Sequence, residues 1–97
     1  MRFDVGPAAE AVEDVKRLRA NVRTELRTAI ETHPRRKPRK ASRSRIERLR
    51  GVSRPQSRLR VGDVRVFYDV SERVVEILAI VAKSEAESWL AQFGSPT

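Results

Sequence analysis

The sequence predicts an α+β fold on three observations. Residues 58–83 carry β-branched and aromatic residues in three short runs, residues 8–33 carry helical stripes, and residues 84–94 repeat apolar positions at helical spacing. The expected architecture is a small antiparallel sheet, made of a short N-terminal strand plus a C-terminal three-strand meander. That sheet packs against an N-terminal helical hairpin, with a short C-terminal helix. With 97 residues, the chain is read as one domain over 1–97 with one modest core.

Taken in order, residues 2–5 alternate and stop at Gly6-Pro7, giving a short strand. Pro7 suits the first turn of a helix, where its missing N–H costs nothing. Residues 8–19 then read as helix, with Glu10, Glu13 and Asp14 near its start and Lys16, Arg17 and Arg19 near its end, matching the dipole. Val12, Val15, Leu18 and Val22 form its apolar stripe. Asn21 is the expected N-cap of a second helix carrying Val22, Leu26 and Ile30, which His33-Pro34 ends. Residues 34–45 hold two prolines, two serines and seven cations with no acid, so they read as a basic connector. Residues 46–51 read as a short turn ending at Gly51.

The meander follows. Its breaks fall at Gly62-Asp63 and Ser71-Glu72-Arg73. In the middle run, Val64, Val66, Tyr68 and Val70 point one way, and Arg65, Phe67 and Asp69 the other. Residues 74–82 are almost wholly apolar, as expected of a central strand buried on both faces. Tyr68 is expected in the core with its hydroxyl at an edge. Ser84 is a candidate N-cap for the last helix, which Trp89, Leu90 and Phe93 dock and Gly94 ends, leaving residues 95–97 loose.

Composition narrows the chemistry. Without cysteine there is no disulfide, thiolate zinc site or cysteine nucleophile, and His33 is the only histidine, so no metal site is expected. The longest apolar run is too short to span a bilayer, and no signal peptide is visible, so a cytoplasmic location is the default with no membrane partner. The net charge of +8 points to a polyanionic partner. Between residues 34 and 60 the cations are Arg35, Arg36, Lys37, Arg39, Lys40, Arg43, Arg45, Arg48, Arg50, Arg54, Arg58 and Arg60, with Glu47 as sole anion. The middle of the chain is thus more positive than the chain as a whole, which is a nucleic-acid footprint.

The order strand, helical hairpin, basic connector and meander, with Leu49-Arg50-Gly51 ahead of Arg-Leu-Arg-Val-Gly-Asp-Val-Arg-Val-Phe-Tyr-Asp-Val over residues 58–70, resembles the RelE/ParE superfamily of type II toxin-antitoxin toxins. The resemblance covers nearly the whole chain and leans to the RelE-like branch. It implies an antitoxin partner in a hetero-oligomer, no cofactor, and, for RelE-like members, ribosome-dependent cleavage of mRNA with contacts to 16S ribosomal RNA. In that chemistry a ribose 2′-hydroxyl attacks its own phosphate, which calls for a base, for cations to hold the developing charge and for a proton donor, and for no metal. By position, Arg58, Arg65 and Lys83 match catalytic positions. Arg60, Arg50, Arg48, Arg45, Arg43, Lys40 and Arg39 are the expected RNA contacts. Ser84 and Leu90 stand where ribonuclease members have an arginine and a tyrosine. The alternatives are a non-catalytic DNA gyrase inhibitor of the ParE kind and a non-catalytic RNA-binding protein.

The residues themselves leave roles open. Arg65 either meets a phosphate, pairs with Asp69 or is merely solvated. Arg58 and Arg60 share a face that suits RNA or an antitoxin equally, and arginine makes a better electrostatic clamp than a base. Trp89 is either core or a platform for a base. Residues 34–45 either grip RNA backbone or solubilise the chain.

Overall fold

Alternating side chains place the second half of the chain in paired strands, and each strand buries one face. The computed structural model describes residues 3–32, 34 and 46–96. Its elements are β1 (Asp4–Pro7), α1 (Ala9–Lys16), α2 (Ala20–Thr32), β2 (Ile46–Arg48), β3 (Val52–Arg54) and β4 (Ser57–Val61). They continue with β5 (Val64–Ser71), β6 (Val74–Ala82), a 3-10 turn (Lys83–Glu85), α3 (Ala86–Phe93) and β7 (Ser95–Pro96). Five strands form one sheet in the order β1-β6-β5-β4-β2, and β3 pairs with β7 beside it.

The predicted meander is β4–β5–β6, antiparallel throughout. Two-residue turns join its strands, with Val61 opposite Val64 and Ser71 opposite Val74. Each turn opens on a left-handed residue, Gly62 at φ 55° and Glu72 at φ 44°. Glycine takes that conformation freely, whereas Glu72 carries a cost of about 1–2 kcal/mol. The central position of β6 is also as expected, because β1 pairs on its other side.

One face of the sheet packs on α1 and α2. Leu59, Val61, Val66, Tyr68, Val75 and Ile77 meet Ala11, Leu26 and Ala29 there. A bulge keeps that face continuous. Phe67 pairs with Ala79 but Tyr68 with Ile77, so Leu78 is the extra residue. Ile77 and Ile80 therefore both enter the core, while Ala79 faces the other way with Phe67. The opposite face holds a smaller cluster of Phe67, Ala79 and Ala86, flanked by Leu49, Val81, Trp89 and Leu90.

Several local expectations shift. The first strand runs from Asp4 and includes Pro7, and it lies parallel to β6, with Asp4 opposite Val74. A separation of some seventy residues frees β1 from the hairpin geometry that makes close neighbours antiparallel. The helix break falls at residues 17–19, where Arg17 and Leu18 donate to carbonyls three residues back and tighten the last turn. Asn21 consequently lies in the first turn of α2 instead of capping it. Ile46–Arg48, read as a turn, is an edge strand on β4. Ser84 lies in the 3-10 turn, and Glu85 holds the N-cap position of α3 without a side-chain capping bond. Ser95 and Pro96 pair with β3 instead of hanging loose. Pro34 is buried, and the rest of the basic connector, with Arg39, Lys40, Arg43 and Arg45, lies outside the described residues.

Tyr68 is wholly buried, hydroxyl included, so the expected edge placement is wrong. Burial pushes its pKa up to about 12, against opposing effects of the Ser57 hydrogen bond and the Arg48 charge. The folded chain therefore keeps the phenol proton that the unfolded chain loses from pH 10 upward. Stability is full below pH 10 and falls as the pH rises toward 12, by roughly 3 kcal/mol at 1.36 kcal/mol per unit. Denaturant titrations across that range should show the loss in the wild type and not in Tyr68→Phe. As Tyr68 is the only tyrosine, its ionisation can be followed directly by absorbance.

Candidate functional site

The alternation that buries Leu59 and Val66 turns Arg58, Arg60, Arg65 and Phe67 to the opposite face. Register then brings them together: Arg58 lies opposite Phe67, and Arg60 opposite Arg65. On the other side of β4, Glu47 lies opposite Arg58. Three of the expected cations are thus gathered on one rigid surface.

Arg58 is the most constrained of them. Its two terminal nitrogens donate to Glu47 Oε1 at 2.6 Å and to Glu87 Oε1 at 2.7 Å. Its guanidinium carbon lies 6.0 Å from the centroid of the Phe67 ring, and its side chain is 12% exposed. Among the described residues, Arg58 Nε is buried without a hydrogen-bond partner. Burial alone would lower its pKa, but the bonds to Glu47 and Glu87 outweigh that and raise it above the usual arginine value. Arg58, expected as an electrostatic clamp rather than a base, is already held by two carboxylates.

Arg60 and Arg65 differ from it. Arg60 is half exposed, with Nη2 3.9 Å from Glu47 Oε1. Arg65 Nη1 donates to the carbonyls of Gly62 and Val64 at 2.9 and 3.0 Å, which folds its guanidinium over the hairpin end. Burial, then the neighbouring Arg60 and Arg58 charges, lower its pKa. Like charges directly opposite on a sheet are destabilising, and these two guanidiniums share one ladder position. The Arg65–Asp69 pair considered from sequence does not form. Asp69 accepts from the Gln56 N–H at 2.7 Å and pairs with Arg54 at 3.2 Å. Arg54 also reaches Glu76 at 3.0 Å, so this end of the face is neutralised while the Arg60–Arg65 end is cationic.

Lys83 opens the 3-10 turn at that cationic end, its N–H bonded to Asp63 O at 2.8 Å. Its side chain is exposed. Arg50 is exposed just beyond β2. Arg48 is a correction. It lies opposite Ser57, which shares the helix-facing side with Leu59 and Val61, so it belongs to the other side of the sheet from Arg58. Trp89 stacks on Phe67 with centroids 4.6 Å apart and also meets Phe93, tilted, at 5.6 Å. It packs against the small second cluster, as the core reading of Trp89 expects.

Sequence reasoning missed Glu47 and Glu87 as members of the site. Glu47 had a legible signal, as the one acid among twelve cations between residues 34 and 60. Glu87 gave none, because its role depends on how α3 returns over the sheet. Among the described residues no group of histidine, cysteine or acidic side chains could hold a metal ion. No described helix is long and apolar enough to cross a membrane.

Solved structures share this arrangement. The RelE-RelB complex from Pyrococcus horikoshii matches over 86% of this chain and 97% of that chain, at TM-score 0.69 and 21% identity. The RelB-RelE complex from Methanococcus jannaschii covers 86% and 95%, at TM-score 0.67 and 17% identity. A mutant of the E. coli toxin RelE in the free state covers 94% and 93%, at TM-score 0.58 and 20% identity. No curated protein matches the sequence. The sheet, its helical hairpin and its short last helix are thus the RelE-like toxin fold. Residues 7–87 match the family described as ParE toxin of type II toxin-antitoxin system, parDE, and the chain belongs to that family, within the RelE/ParE superfamily of toxins.

Removing Arg58 should cost more stability than removing Arg60. Arg58→Ala removes the nearly buried side chain that packs over Phe67 and leaves a cavity there, for a loss of about 2 kcal/mol, whereas Arg60→Ala should stay within about 0.5 kcal/mol. Urea unfolding of the two variants measures the difference.

Proposed function

We propose that this toxin cuts messenger RNA in the translating ribosome, by attack of a ribose 2′-hydroxyl on the adjacent phosphate. The observation that carries the reading is the set Glu47, Arg58, Arg60 and Arg65 on one sheet face. The reaction needs a proton acceptor, and Glu47 is a carboxylate beside two guanidiniums, 45% exposed and thus open to substrate. Arg58 orients Glu47. Arg65 and Arg60, fixed before substrate arrives, hold the charge that develops on the phosphate. Lys83, at the same end, is the donor to the departing 5′-oxygen. Arg50, Arg39, Lys40, Arg43 and Arg45 extend the contact along ribosomal RNA, with an affinity that falls as salt rises. No cofactor takes part. The partner is a cytoplasmic antitoxin that forms a hetero-oligomer with the chain, a reading supported by the toxin-antitoxin complexes among its structural neighbours.

The family match and the side chains at Ser84 and Leu90 favour a second reading, in which the toxin inhibits DNA gyrase without catalysis. The hairpin of α1 and α2 is short for that role.

Expression of the wild type should arrest growth and leave cuts in translated messages, seen by primer extension. Glu47→Gln and Arg65→Ala should each lower cutting by about a hundredfold or more. Intact messages together with loss of gyrase supercoiling at stoichiometric toxin would replace the first reading with the second.

A further inference from the structure

The two carboxylates on Arg58 are not equivalent. Glu47 stands across the ladder from it, so the sheet backbone itself holds that pair in place. Glu87 comes from the first turn of α3, twenty-nine residues along the chain, and its side chain is 79% exposed. The helix behind it has only eight residues. It is fastened to the sheet by Ala86, Trp89 and Leu90 against Phe67, Ala79 and Val81, and by the Glu87–Arg58 ion pair to the cationic face. An ion pair so open to water contributes little and is easily exchanged. A phosphate group presents the same acceptor geometry to a guanidinium, with more charge and more oxygens.

The surroundings favour that exchange. Arg60 and Arg65 already repel each other across the ladder, and an anion added there offsets the neighbouring cationic charges that lower the pKa of Arg65. Arg58 stays anchored to Glu47 and Phe67 when Glu87 leaves, so it does not have to move to change partners.

We infer that Glu87 is a built-in occupant of a phosphate position on Arg58: it latches α3 to the cationic face, and an arriving polyanion must displace it and loosen the helix. This rests on the phosphate-binding reading of the face. It assigns Glu87 as a positioning residue that sets the affinity of the site and couples that affinity to the C-terminal helix.

The experiment compares Glu87→Gln with Glu85→Gln, which removes the same charge from the preceding turn. Binding of a short oligouridylate is measured by fluorescence anisotropy at fixed salt. Glu87→Gln should tighten binding about fivefold, the exchange expected for one exposed ion pair, and Glu85→Gln less than about twofold. In an Arg58→Gln background the Glu87→Gln gain should vanish. Equal gains from the two glutamates would reduce the effect to net charge and overturn the latch. A second arm does not depend on RNA. Hydrogen exchange of the α3 amides and emission from Trp89, the only tryptophan, report the helix directly. Glu87→Gln should speed exchange there and shift the emission to the red, and Glu85→Gln should do neither. Unchanged exchange in Glu87→Gln overturns the latch, whereas a loosened helix with no oligouridylate binding by the wild type overturns the functional reading instead.

Discussion

At Arg58 a guanidinium is taken almost out of water, which is tolerable only when its charge is matched. Glu47 and Glu87 do the matching, and the Phe67 ring supports the cation from one side. The contact draws on three elements that are far apart in sequence. Edge strand β2, central strand β4 and helix α3 are all tied to one planar group. The second face meets at this group, with α3 latched to it through Glu87 and Glu47 lying between it and Arg60.

The sheet does two jobs because its faces are chemically separate. Toward the helices it presents β-branched and aromatic side chains with a buried tyrosine. Away from them it presents arginines spaced by strand geometry. Backbone ladders hold both sets, so the cations need no packing of their own to be fixed. Their mutual repulsion is absorbed by the core on the other side. The ion pairs are also graded along this face. Arg54 silences Asp69 and Glu76 at one end, and Arg60 and Arg65 are left opposed at the other.

The meander was readable because period-two alternation is a local property. Val64, Val66, Tyr68 and Val70 needed no knowledge of their partners to be assigned to one side. The common face of Arg58, Arg60 and Arg65 followed from the same rule. What failed was whatever depended on distant chain. Ile46–Arg48 is too short to show a period and becomes a strand only because β4 offers an edge. Arg48 was grouped with the other cations by charge, yet alternation in that strand sends it to the helical side. The Arg58 pairs joined residues eleven and twenty-nine positions apart, beyond the reach of any local pattern. Ser95 and Pro96 looked like a tail, and a partner strand from the middle of the chain gives them order.

The parallel pairing of β1 with β6 has a consequence for synthesis. Asp4 is made about seventy residues before its neighbour Val74. A nascent chain therefore carries β1 with nothing to dock on until the final long strand emerges. The helical hairpin waits with it, since α1 borrows its anchor from the Ile80 amide through Asp14. Until that moment the emerging polypeptide is an incomplete object with no closed arginine face.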